Sequence, residues 1–121
     1  MKINQNNPGL EAEKLAATYL LNHGLTIVAQ NYHCRFGEID LIMKDNKTLV
    51  FIEVRLRSNS KFGSAAASIT PQKQQKLILT AQHYLQEFSR QHGDCLCRFD
   101  AILMDKADTK HIDWLRNAFD A

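Results

Sequence analysis

The chain has 121 residues, a length that suits one domain, and its 45% hydrophobic and 23% charged content are those of an ordinary globular protein with one core. A formal net charge of +2 excludes a binder that works through bulk charge, so any nucleic-acid signal has to lie in how the charge is distributed. The polar, Asn-rich start from Met1 to Leu10 holds no apolar run suited to a signal peptide or a membrane span, and three cysteines argue against a disulfide framework. The expectation is a cytoplasmic protein that makes no use of a membrane.

Asn6-Asn7-Pro8-Gly9 signals a turn or helix entry. From Leu10 to His23, apolar residues at Ala12, Leu15, Ala16, Tyr19 and Leu20 recur with a helical period, and Gly24 closes the helix. Leu25 to Ala29, with Tyr32 beyond, reads as a strand. A hairpin follows, with strands from about Glu38 to Lys44 and Leu49 to Leu56 around an Asp45–Thr48 turn. Ser58 to Ser68 is small and polar and reads as a loop. Thr70-Pro71 has the form of an N-cap and first helical residue. The apolar stripe Leu77, Ile78, Ala81, Tyr84, Leu85 and Phe88 continues that helix until Gln91–Asp94. Cys97 to Met104 is a further strand, and His111 to Phe119 a last strand or short helix. The order α-β-β-β-α-β predicts an α/β fold: a mixed sheet with one helix before it and one crossing over it.

The hairpin carries the chemistry. Asp40 and Glu53 lie within strand-forming sequence, where acids are depleted and rarely buried unless paired. Pairing Lys44 with Leu49 sets Asp40 opposite Glu53, with side chains on one face; a two-residue turn is expected to shift that register. Arg55 shares the face of Glu53, and Glu38 that of Asp40. Two opposed carboxylates repel unless a cation lies between them. The competing reading is a solvated hairpin face with ordinary cross-strand ion pairs. On the first helix, Glu13 sits at the edge of the apolar stripe, placed either to reach the sheet or simply to favour the helix dipole. Between Glu53 and Glu87 no acid occurs, while Arg55, Arg57, Lys61, Lys73 and Lys76 do. Acids beside a basic stretch suit a phosphodiester site, although a solvated basic face gives the same pattern. The inward face of the second helix turns polar at Lys73 and Gln74, where Ser68 and Thr70 add hydroxyls and the helix N-terminus favours an anion.

Gly-Glu-Ile-Asp-Leu-Ile followed by Val-Phe-Ile-Glu-Val-Arg resembles the bacterial YraN family, an uncharacterised group for which endonuclease activity is expected. The resemblance runs from Ala12-Glu13-Lys14-Leu15-Ala16 through Asn31, Phe62-Gly63, Lys73, Ala81 and Tyr84-Leu85 to Arg98-Phe99-Asp100 and Ala118-Phe119. That family is similar to the PD-(D/E)XK nucleases, near the archaeal Holliday-junction resolvases. The resemblance implies a restriction-endonuclease-like sheet, Glu13, Asp40 and Glu53 as ligands of Mg²⁺ or Mn²⁺, and catalysis by those acids with Arg55. It implies double-stranded or branched DNA as partner; the charge pattern and the polar start of the second helix place Arg57, Lys61, Lys73, Gln74 and Lys76 on the nucleic acid, and a homodimer is the expected assembly. Arg55 stands where the superfamily carries lysine, and arginine supplies charge and hydrogen bonds but no base. A non-catalytic nucleic-acid-binding module that keeps the nuclease fold is the alternative. Cys95-Leu96-Cys97 with His92 lacks the spacing and second half of a zinc site. Arg98 and Asp100, two apart on a strand, are expected to form a structural ion pair.

Overall fold

In a computed structural model, residues 8–57, 69–105 and 110–121 are described. Helix α1 (Pro8–Asn22) is followed by strands β1 (Thr26–Cys34), β2 (Gly37–Asp45) and β3 (Thr48–Arg57). Helices α2 (Pro71–Glu87) and α3 (Ser89–His92) lead to β4 (Leu96–Asp105) and β5 (Ile112–Phe119). The strands form one sheet in the order β1-β2-β3-β4-β5. Neighbours are antiparallel except β3 and β4, which run parallel because the α2–α3 crossover returns the chain to the same end.

Local chemistry explains the boundaries. At the end of α1 the Gly24 N–H bonds the Leu21 carbonyl (3.1 Å) and the Leu25 N–H the Leu20 carbonyl (3.1 Å), with Gly24 at φ +93°. This is the paired closure that a left-handed glycine permits. Thr70 caps α2, its hydroxyl accepting from the Lys73 N–H at 3.2 Å, and Pro71 follows in the first turn. The last segment is a strand, and the short helix α3 was not anticipated; Tyr84 Oη to His92 Nε2 at 2.7 Å ties it back to α2.

Two differences concern the hairpins. The first strand is longer than Leu25–Ala29 and makes a second hairpin with β2 through Arg35 and Phe36. A register shift between Ile27 and Ala29 and a left-handed Asn31 (φ 53°) break its alternation, which hides the strand from period-2 counting. The β2–β3 turn spans only Asn46 and Lys47, with Asp45 paired to Thr48 and Asn46 at φ 55°. The expectation that a two-residue turn shifts the register is incorrect: Lys44 still pairs with Leu49, because closing one more pair at the tip leaves every other pair in place.

Each face of the sheet is covered by one helix. Ala12, Ala16, Ala17 and Leu20 of α1 pack on Leu41, Met43, Val50, Ile52, Ile102 and Met104. Leu77, Ala81 and Tyr84 of α2 pack on Ile39, Ile42, Leu49, Phe51, Phe99 and Ala101. The central strands therefore read as nearly unbroken apolar runs. Leu41 belongs to the α1 face, yet Ile39 and Tyr32 belong to the α2 face. Residues two apart on a regular strand share a face, so the β1–β2 ribbon turns over between these positions, at left-handed Asn31 and facing Asp40.

Candidate acidic site at the strand fork

The β2–β3 ladder runs from Asp45–Thr48 to Leu41–Ile52. One step further, Asp40 Oδ2 accepts the Val54 N–H at 2.8 Å, so a side chain takes the place of a strand carbonyl as the strands part. Glu53 is 5% exposed at this fork. Its Oε2 meets Lys73 Nζ from α2 at 3.3 Å and Arg55 Nη1 at 3.7 Å. Glu13 arrives from α1 on the opposite face, within hydrogen-bonding reach of Asp40 and of the Asn31 side chain. The ribbon turnover thus lets acids from both faces of the sheet meet around Asp40.

The electrostatics reflect crowding. Burial, and then the Asp40 charge, push Glu13 up to about 7, while the Asn31 hydrogen bond holds it down. Burial and Asp40 likewise push Glu53 up to about 7 against the pull of Lys73. Asp40 is raised by burial and held back by the Val54 N–H and by Glu53. Asp40 and Glu53 lie within hydrogen-bonding reach of each other, and Glu53 feels the Asp40 charge. The acids form a chain, Glu13–Asp40–Glu53, rather than a closed cage. Among the described residues, no three His, Cys, Asp or Glu side chains are gathered closely enough to hold an ion as they stand. A hard-oxygen set of two acids with a third in reach fits a small divalent cation that keeps several waters, as Mg²⁺ does.

The other expected site residues divide. Arg55 and Lys73 both join Glu53, and Lys73 does so more closely. Lys73 thus places an ammonium from the first turn of α2 beside the Glu53 carboxylate. Lys76 is exposed one turn further on. Arg57 is ion-paired with Asp113 of β5, and the Gln74 side-chain amide donates to the Ile69 carbonyl at 3.0 Å. Glu38 is exposed and pairs with His33 at 3.2 Å, so it acts on Glu13 and Asp40 only through its charge. Lys61 and Ser68 lie outside the described residues. Asn31 had no assigned role in the sequence; a residue type tolerant of left-handed backbone in the midst of a strand was the available signal. Arg98 does pair with Asp100, at 3.0 Å, and also with Asp45 at 3.0 Å.

Fold and site define a mixed α/β protein with a buried acidic fork between two helices. The chain belongs to the uncharacterised protein family UPF0102, whose model matches residues 12–104. It is 57% identical to a UPF0102 protein of Methylobacillus flagellatus over 93% of this chain and 96% of that one. A UPF0102 protein of Nitrosomonas europaea is 54% identical over 94% of each chain, and one of Legionella pneumophila 53% identical over 93% and 94%. Among the described residues, no helix is long and apolar enough to cross a membrane.

Proposed function

We propose that this chain is a metal-dependent endonuclease that hydrolyses DNA phosphodiester bonds. The observation that carries the reading is buried Glu53 beside half-buried Asp40, crowded enough to push Glu53 up to about 7 with two cations already on it. Such a site is short of positive charge, and a buried acid cluster without a function is a cost to the fold. Asp40 and Glu53, with Glu13 through water, would hold Mg²⁺ or Mn²⁺. When bound, the ion supplies a Lewis acid for the phosphoryl oxygen and a water of lowered pKa. Lys73 and Arg55 then offer two positive donors beside Glu53, suited to the charge that develops on the phosphate oxygens.

The test is a Mn²⁺ titration of the wild type, Asp40→Ala and Glu53→Ala, following binding and cleavage of linear and branched DNA together. Cleavage that appears with metal and is lost in both variants is the expected result. Cleavage surviving both substitutions overturns the site. A second reading, a nucleic-acid-binding module without catalysis, is favoured by the arginine at position 55. It predicts salt-sensitive binding weakened in Lys73→Ala and Lys76→Ala, and no cleavage with any metal.

A further inference from the structure

Two cavities meet at the tip of the β1–β2 hairpin, and Arg35 and Phe36 line both of them. The first, about 520 Å³, adjoins the acidic fork through Lys73 and is lined by His33, Gly37, Glu38 and Lys76 as well. The second, about 440 Å³, lies along α2 and is lined by Leu79, Gln82, His83, Leu85 and Gln86. The tip between them is held in place. Gly37 has φ +151°, and a Cβ there would lie 3.3 Å from Thr80 Oγ1 and 3.8 Å from Lys76 Cβ, so only a glycine lets the hairpin approach α2 this closely. The Arg35 guanidinium covers one face of Phe36 at 4.9 Å, and His83 meets that ring edge-on at 6.4 Å.

The two cavities have different chemistry. The first gathers Arg35, Lys76 and Lys73, the last also paired with Glu53, and holds one acid, Glu38, which lies 3.2 Å from His33. That is a lining for a sugar–phosphate strand. The second is lined by the apolar side chains of Leu79 and Leu85, the amides of Gln82 and Gln86 that both donate and accept, and the Phe36 ring. That is a lining for a flat heterocycle with hydrogen-bonding edges. A base paired within a duplex turns into such a cavity only after unpairing and unstacking, which costs a few kcal/mol that an unpaired base does not pay.

We infer that the hairpin tip divides a DNA strand at one nucleotide. The backbone lies in the first cavity, and one unpaired base turns into the second and stacks on Phe36. The substrate class is therefore DNA with an unpaired nucleotide, single-stranded or at a branch, next to the acidic fork. The inference rests on the nucleic-acid part of the function proposed above and not on cleavage.

The experiment measures binding in EDTA to oligonucleotides carrying one 2-aminopurine, either in an unpaired segment at a branch or in a blunt duplex. Wild type, Phe36→Leu and Phe36→Trp are compared, leucine keeping apolar bulk and tryptophan keeping the π face. The expected result is tighter binding of the unpaired form with quenched fluorescence. Phe36→Leu loses about five-fold or more of that affinity and leaves duplex binding unchanged, and Phe36→Trp restores it. Equal affinity for the two DNAs, or an equal loss on both in Phe36→Leu, overturns the inference. Phe36-dependent binding of unpaired DNA without cleavage in Mg²⁺ or Mn²⁺ sinks the nuclease reading and leaves this one standing. Cleavage of blunt duplex indifferent to Phe36 does the reverse, and no DNA binding at all removes both.

Discussion

Replacing Glu53 with glutamine should make the metal-free protein more stable at alkaline pH. Glu53 ionises near 4.5 in an unfolded chain and at about 7 in the fold. Between those values the folded chain holds a proton that the unfolded chain has released, so the fold loses stability as pH rises through the window. Above pH 7 the accumulated cost is about 3 kcal/mol. Glutamine removes that cost and also relieves Asp40 of a neighbouring acid. The pull of Lys73, 37% exposed, is already contained in the value of about 7, so losing that ion pair subtracts nothing further and the gain stays at about 3 kcal/mol. Urea unfolding of wild type and Glu53→Gln in EDTA, at steps from pH 4.5 to 8, measures it. The two curves should nearly coincide at the acid end and separate toward pH 8 with the variant more stable. Saturating Mg²⁺ should then close the gap by stabilising the wild type alone. A gap that is flat across the series, or a variant less stable at pH 8, refutes the reasoning.

Other substitutions probe the frame around the fork. Lys73→Met removes the cation that pulls Glu53 down, so carbon NMR titration of the Glu53 carboxyl should find its pKa above that of the wild type. Asp100 is fully buried and accepts from Arg98, from Trp114 Nε1 at 2.9 Å and from the Asn117 N–H at 2.9 Å. Asp100→Ala leaves these donors without their acceptor, and urea unfolding should record a loss of roughly 3–5 kcal/mol. Gly37→Ala meets both a positive φ and the Thr80 hydroxyl, and its unfolding midpoint should fall by the equivalent of roughly 1–3 kcal/mol. Thr70→Ala removes the cap of α2 and should cost about 1 kcal/mol by the same assay.

Much of this arrangement is legible in the sequence because it follows from periodicity. The stripe from Leu77 to Leu85, the Thr70-Pro71 start and the Lys44–Leu49 register all follow from helical or strand spacing. What stayed hidden depends on departures from spacing. The ribbon turns over at Asn31, so counting by twos gives no warning that α1 and α2 reach the same point from opposite faces. Side-chain destinations were equally opaque. Arg57, Gln74 and Lys73 look alike as polar residues near a basic stretch, but β5, the Ile69 carbonyl and Glu53 claim them respectively. The choice among such partners is made by tertiary neighbours far away in the chain, as with the 56 positions that separate Arg57 from Asp113.

The hydrogen bond from Val54 to Asp40 has a consequence for ion size. A carboxylate free to rotate can present both oxygens to a large cation and follow it as the radius changes. Asp40 has one oxygen tied to the backbone of the neighbouring strand, so its orientation is set by the sheet. In the metal site proposed above, an ion that accepts single oxygens at short range would leave that strand contact in place, whereas one that seeks bidentate carboxylates at longer range, as Ca²⁺ does, would compete with it.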